Sequence, residues 1–182
     1  AASYCHVHHN RISHSTRYGI QADSFFSPTS GPKSSSRFNL FEFNILNDTS
    51  QTTTDTGAIE MLGSGDPADD GGGAGWWTAT VIRYTNITNT VGSSSGDGQH
   101  VCVHGTPAGP WCRRLVWAIY LDGCQSGVMV YGNIIGASLH GAIFDNAGGN
   151  NTHENNIFLG ESGPGVASTL MNFGAPGTST KH

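Results

Sequence analysis

The chain has 182 residues, a length that suits one domain or a fragment of a larger protein. It carries 8 Lys and Arg against 13 Asp and Glu, a formal net charge of −5, and only 12% of its residues are charged. This balance gives no basic footprint for nucleic acid, and 26 glycines with so little charge argue against a helical bundle. Because 4 Trp, 5 Tyr and 8 Phe also argue against disorder, we predict an all-β protein.

A short pattern with a central Asn recurs along the chain and predicts a repeating architecture. Its five copies read VHHNRI, FEFNIL, RYTNIT, VYGNII and HENNIF, with the central asparagines at Asn10, Asn44, Asn86, Asn133 and Asn156. Asn side chains stacked from one turn of chain to the next can satisfy backbone groups at a corner. We therefore expect these five residues to form an amide ladder.

A second pattern alternates with the first and predicts a second kind of strand. It reads GIQAD, GAIEML, WAIYLD and GAIFDN, at 19–23, 57–62, 117–122 and 141–146. Strands that recur without helical periodicity between them are typical of a parallel β-helix (a solenoid), with coils about 4.8 Å apart. We expect coils with long loop insertions over residues 1–160 and an irregular Gly/Pro/Ser-rich tail over 161–182.

Cysteines and sequons favour a secreted or cell-surface protein. Cys102 and Cys112 bracket a Gly- and Pro-containing segment that can fold back on itself, which predicts a disulfide between them; buried free thiols are the alternative. The other two cysteines, Cys5 and Cys124, are candidates for a second disulfide. Three sequons begin at Asn47, Asn86 and Asn150 and predict glycosylation. No apolar run approaches the roughly 20 residues of a membrane-spanning helix, so we expect no membrane span.

The stretch from 115 to 158 resembles the right-handed parallel β-helix proteins of glycoside hydrolase family 141 and their relatives. Its WAIYLDG, NNTHENNIF and the upstream DTGAIEMLG match the order of that family's motifs. The resemblance covers most of the chain, and it implies a right-handed β-helix acting on or binding a polysaccharide or other glycan. The family's HQHYG motif falls, without gaps, on a segment where Phe144 and Asn146 replace its two histidines.

The resemblance also implies a catalytic pair of carboxylates, Asp55 and Asp122, on the acidic positions of the family's motifs. Glycoside hydrolysis needs one protonated and one ionised carboxyl, about 5–5.5 Å apart for retention and about 6.5–9.5 Å apart for inversion of configuration. Neighbouring coils can supply either separation. Glu60 is a third candidate, because alternation places it on the same face as Tyr120 and Phe144. Turn-capping and solvated roles are the alternatives for these acids.

Aromatic side chains are expected to contact the sugar. Trp76 and Trp77 lie in a predicted loop, where one ring at least is exposed, and Tyr120 and His140 lie near the expected groove. Asp145 is predicted to point inward. The cluster His6, His8, His9 and His14 supplies no third ligand at a metal-binding spacing, so neither a metal site nor a cofactor is predicted.

A non-catalytic function is the main alternative. The replaced histidines, the short chain and the sequons favour a structural or adhesive β-helix that self-assembles through its coil ends or loops. Unpaired strand edges at the ends of a solenoid invite such stacking.

Overall fold

Fifteen strands and no helix make up the part of the chain that the structure describes. The structure is a computed structural model, and the residues it describes are 3–23, 36–53, 55–63, 79–92, 116–123, 125–146, 150–160 and 169–173. Over these ranges, no segment could cross a membrane as an apolar helix. The long insertions that the composition of the sequence indicates, over 25–36, 63–75 and 91–114, lie almost entirely outside these ranges.

The strands form three five-stranded sheets, and all pairing within each sheet is parallel. Sheet 1 contains β1 (His6–His8), β4 (Leu40–Glu42), β7 (Thr80–Arg83), β10 (Val128–Tyr131) and β13 (Thr152–Glu154). Sheet 2 contains β2 (Arg11–Ser13), β5 (Ile45–Thr49), β8 (Asn86–Thr90), β11 (Ile134–Ile135) and β14 (Ile157–Phe158). Sheet 3 contains β3 (Ile20–Asp23), β6 (Thr56–Leu62), β9 (Val116–Asp122), β12 (Gly141–Asp145) and β15 (Thr169–Phe173).

Each strand pairs with the strand three places later in the chain, so the sheets share one repeating unit. We call each set of three consecutive strands a rung, numbered 1 to 5 from β1–β3 to β13–β15. This pairing is consistent with a parallel β-helix or solenoid. The repeat has three strands rather than the two that the sequence patterns indicate, because the first pattern spans a corner between a strand of sheet 1 and a strand of sheet 2.

Aliphatic side chains stacked in register form the core. Ile20, Ile59, Ile119 and Ile143 align across β3, β6, β9 and β12, and all four are buried. Similar rows from sheets 1 and 2 meet them in a single cluster. Because every rung repeats the same alternation, each apolar side chain packs against its equivalent one strand away.

An amide ladder follows the corner between sheets 1 and 2, as predicted for four of its five positions. The Asn44 Oδ1 accepts the Asn10 backbone N–H at 3.1 Å, and the Asn156 Oδ1 accepts that of Asn133 at 3.1 Å. The prediction is wrong for Asn86, which lies in β8 and is exposed. Thr85 occupies the ladder position of rung 3, and its N–H donates to the Asn133 Oδ1 at 3.0 Å.

Backbone in the left-handed region makes that corner sharp. The residue before each ladder position has positive φ, and the five are His9, Phe43, Tyr84, Gly132 and Asn155. The rings of His9, Phe43 and Tyr84 stack along the corner at centroid distances of 5.1 and 5.3 Å. Such contacts contribute about 0.5–1.5 kcal/mol each, which offsets part of the cost of left-handed backbone.

The third sheet continues beyond residue 160. β15 pairs with β12 in the segment where composition indicates an irregular tail. β15 forms because it pairs with β12, whereas the Gly- and Ser-rich sequence on either side of it gives no local signal for a strand.

Candidate functional site

Three of the predicted site acids lie together on the face of sheet 3 turned away from the core. Asp55 directly precedes β6, Glu60 lies within β6, and Asp122 ends β9 on the next rung. Glu60 is paired in register with Tyr120, which is paired in turn with Phe144. We call Asp55, Glu60, Tyr120 and Asp122 the carboxylate cluster.

The Tyr120 hydroxyl lies at the centre of the carboxylate cluster. It donates a hydrogen bond to the Asp55 Oδ1 at 3.1 Å, and Asp122 lies two residues further along the same face of β9. Tyr120 is buried, so burial and then the charges of the two aspartates raise the pKa of its hydroxyl well above the ordinary value. The tyrosine therefore stays protonated and acts as a hydrogen-bond donor.

Asp55 and Glu60 both favour the protonated state more than free carboxyls do. Burial is the main cause of the raised pKa of Asp55, the Asp122 charge adds to it, and the Tyr120 hydrogen bond opposes it. Burial and then the Asp122 charge raise the pKa of Glu60 to about 8. Glu60 is 4% exposed, whereas Asp55 and Asp122 are partly exposed, so the two aspartates are the members that a large substrate can reach.

Gly57 holds Glu60 in place. Its backbone N–H donates to the Glu60 Oε2 at 3.1 Å. A Cβ added at Gly57 would lie 2.9 Å from the Tyr120 Cβ and 2.7 Å from the Ile59 carbonyl oxygen. Only glycine therefore allows this close approach between β6 and β9.

Two hydrogen bonds fix the orientation of the Asp122 carboxyl. Its Oδ1 accepts the Gly123 backbone N–H at 2.7 Å and the Asn146 Nδ2 at 2.7 Å. Asn146 stands where the family resemblance places a histidine, and here it contributes an amide donor from the next rung.

Arg17 and Tyr18 complete the surroundings of the cluster, and the sequence patterns do not predict them. They precede β3 on rung 1, and the Arg17 guanidinium carbon lies 4.6 Å from the centroid of the Tyr18 ring. The charge of Arg17 lowers the pKa of both Asp55 and Glu60. Burial, followed by the charge of Glu60, raises the pKa of Tyr18 to about 12. Their one sequence signal is their position, just before a strand of the second pattern, as Asp55 is.

Aromatic rings support the cluster from one side. Trp117 stacks on His140 at 4.4 Å and on Phe144 at 4.9 Å, and Phe144 stacks on Tyr120 at 5.2 Å. His140 is 7% exposed and Tyr120 is 2% exposed. Both predicted sugar contacts therefore lie within a packed aromatic layer, and their binding role stays a prediction.

Asp145 points inward, as predicted. It is buried and aligned with Leu121 in the core, where the Asn151 Nδ2 donates to its Oδ2 at 2.8 Å. The His153 Nε2 lies 3.5 Å from the same oxygen. This buried pair ties rung 4 to rung 5 and is separate from the carboxylate cluster.

The histidines of rung 1 join a second polar network, on sheet 1. The His6 Nε2 lies 2.8 Å from the Glu42 Oε1, and the Arg83 Nε donates to the Glu42 Oε2 at 2.6 Å. The His6 and His8 rings lie 4.1 Å apart on one face of β1. Within the described ranges, no group of three or more His, Cys, Asp or Glu side chains could hold a metal ion.

Several predicted residues fall outside the part of the chain that the structure describes, namely Trp76, Trp77, Cys102, Cys112 and Cys124. Cys5 is described and has a free thiol. All three predicted glycosylation sites are described. Asn86 and Asn150 are exposed, whereas the Asn47 side chain is half-buried and bonded to Asp48 and Thr88.

Comparisons with known proteins returned nothing for this chain: no protein-family model, no curated protein and no solved structure matches it. The resemblance to glycoside hydrolase family 141 therefore stays a prediction. Any proposal of function must be supported by the geometry of the carboxylate cluster.

Proposed function

We propose that the chain is a right-handed parallel β-helix that hydrolyses glycosidic bonds in a polysaccharide at the carboxylate cluster. In this proposal it is a secreted or cell-surface protein that resembles glycoside hydrolase family 141. The parallel pairing of strands three places apart in all three sheets supports the fold. The hydrogen bond from the Tyr120 hydroxyl to Asp55, beside Asp122 on β9, supports the activity.

The clustering of the two aspartates is the observation that carries the proposal. Asp55 accepts a hydrogen bond from the Tyr120 hydroxyl at 3.1 Å, and Asp122 lies two residues beyond Tyr120 in β9, where alternation places it on the same face. Glycoside hydrolysis needs two carboxyls that face one another in this way. Asp55 and Asp122 come from adjacent rungs, so the spacing between parallel strands keeps them close.

The two aspartates differ in the way that acid–base catalysis requires. Asp55 has a raised pKa and is the general acid, which protonates the glycosidic oxygen of the leaving group. Asp122 accepts two hydrogen bonds that orient its carboxyl, and in this proposal it activates a water molecule or attacks the anomeric carbon. Glu60 is neutral below a pH of about 8 and limits the negative charge that collects between them.

A screen of polysaccharides for release of reducing ends tests the proposal. We expect native protein to release reducing ends from at least one glycan, and Asp122→Asn to lower that rate by a factor of about 10²–10⁴. Glu154→Gln removes an exposed acid from β13, and serves as the matched control with native activity. Equal rates for Asp122→Asn and native protein would rule out the assigned role.

A second candidate function is a structural or adhesive one without catalysis. Three isoleucines, interrupted by the exposed Asn86, lie in one outward row of sheet 2: Ile45, Ile134 and Ile157 are 43%, 39% and 54% exposed. Phe43 and Tyr84, 45% and 47% exposed, lie at the adjoining corner. Exposed apolar surface of this kind marks interaction sites. Rungs 1 and 5 each present three strand edges, one in each sheet, that have no partner strand among the described residues. Filaments of purified chain in negative-stain electron micrographs, with no glycan cleaved, would favour this function.

A further inference from the structure

We propose that Tyr120 is a positioning residue, whose hydroxyl holds the Asp55 carboxyl of one rung beside the strand of the next rung that carries Asp122. This inference rests on the proposed function for its catalytic meaning. Its structural content is independent of any substrate, because it concerns contacts within the chain.

The location of Tyr120 suits this role better than sugar binding. The residue is 2% exposed, and its ring stacks on Phe144 at 5.2 Å within the layer formed with Trp117. A ring that is 2% exposed leaves little free face on which a pyranose could stack. Its hydroxyl, in contrast, bonds the partly exposed Asp55 carboxyl, and the partly exposed Asp122 lies on the same face of β9.

The hydroxyl bonds Asp55 across the boundary between two rungs. A phenol has one proton to donate, and that proton goes to the Asp55 Oδ1 at 3.1 Å. Asp55 directly precedes β6, whereas Tyr120 lies in β9 with Asp122. This hydrogen bond therefore ties the proposed general acid to the strand that carries the second carboxylate.

The neighbouring residues keep the hydroxyl where it is. Glu60 is aligned with Tyr120 on the preceding rung, and Phe144 is aligned with it on the following rung. Since Gly57 leaves no room beside the Tyr120 Cβ, the side chain is confined from the β6 side as well. The phenol is therefore pre-organised: its side chain loses its conformational entropy on folding rather than on substrate binding.

Carbon-detected NMR titration of the Asp and Glu carboxyls tests the inference without substrate. Tyr120→Phe keeps the ring and removes the hydrogen bond that lowers the pKa of Asp55. We expect the pKa of Asp55 to rise by about one to two pH units in this variant, because hydrogen bonds to charged groups are stronger than neutral ones. The matched control is Tyr131→Phe, which removes a hydroxyl bonded to Arg83 on sheet 1 and should leave the titration of Asp55 unchanged.

An unchanged Asp55 titration in a folded Tyr120→Phe variant would overturn the inference, and would assign Tyr120 to packing alone. If that variant does not fold, the rate of hydroxyl proton exchange is measured by NMR in native protein labelled at tyrosine Cζ. The Tyr120 hydroxyl should exchange more slowly than that of the exposed Tyr84. Equal exchange rates would refute the inference. Neither measurement needs glycan cleavage, so the loss of the proposed activity and the failure of this inference are distinguishable.

Discussion

Substitution of Glu60 should remove a large part of the pH dependence of stability. Its pKa is about 8 in the folded protein, against an ordinary value of 4.5. Between those values the folded state binds a proton that the unfolded state has lost, so stability falls as pH rises. The fall is about 1.4 kcal/mol per pH unit and totals up to about 5 kcal/mol by pH 8. Below pH 4.5 the carboxyl is protonated in both states, and the penalty disappears.

Urea unfolding followed by far-UV circular dichroism between pH 4 and pH 9 measures this effect. Glu60→Gln is neutral at every pH and can still accept the Gly57 N–H, so it should be more stable than native protein above pH 8. The two proteins should converge near pH 4. Glu154→Gln, an exposed substitution, should follow the native curve. The reasoning is refuted if native protein and Glu60→Gln show parallel pH dependence.

Two further predictions concern the ladder and the charge beside the site. Asn133→Ala should lower the free energy of unfolding by about 2–4 kcal/mol, because this buried amide makes hydrogen bonds to two neighbouring rungs. The control Asn86→Ala, at an exposed position, should change that free energy by less than about 0.5 kcal/mol. Similar urea midpoints for the two variants would contradict the ladder. Arg17→Ala removes a charge that lowers the pKa of Glu60, so NMR titration should find that pKa above about 8; a fall would contradict the placement of Arg17.

The sequence predicts the strands of sheet 3 well, because their pattern is local. Alternation places Ile119 and Ile143 inward and Tyr120 and Phe144 on the opposite face, and the pairing has that register. The same alternation places Asp145 in the core, where it is buried. Period-two patterning suffices for such assignments because it decides which side of a strand is covered.

The amide ladder between sheets 1 and 2 is predicted less accurately, because in rung 3 two adjacent polar residues could each occupy the ladder position. In RYTNIT the Asn is one residue beyond the corner, and Thr85 fills the ladder instead. A second ladder, between sheets 3 and 1, has no counterpart in the sequence patterns. There the Asn39 Oδ1 accepts the Cys5 N–H at 2.9 Å, and the Asn151 Oδ1 accepts the Val128 N–H at 2.8 Å. Only two of its rungs use Asn, so repetition gives too weak a signal.

The site is predicted in part for a similar reason. Asp55, Glu60 and Asp122 lie in recognisable motifs, and the parallel register brings them together. Arg17 and Asn146 act on residues of a neighbouring rung. Long insertions separate neighbouring rungs in the sequence, so no local pattern records these contacts.

The most direct test of the account is the rate of glycosidic bond cleavage by native protein and by the variants Asp55→Asn and Asp122→Asn on one polysaccharide. The proposed roles predict cleavage by native protein and a loss of about 10²–10⁴-fold in each variant, with Glu154→Gln unaffected. Native rates in either aspartate variant, or no cleavage by folded native protein across neutral and acidic polysaccharides, would contradict it.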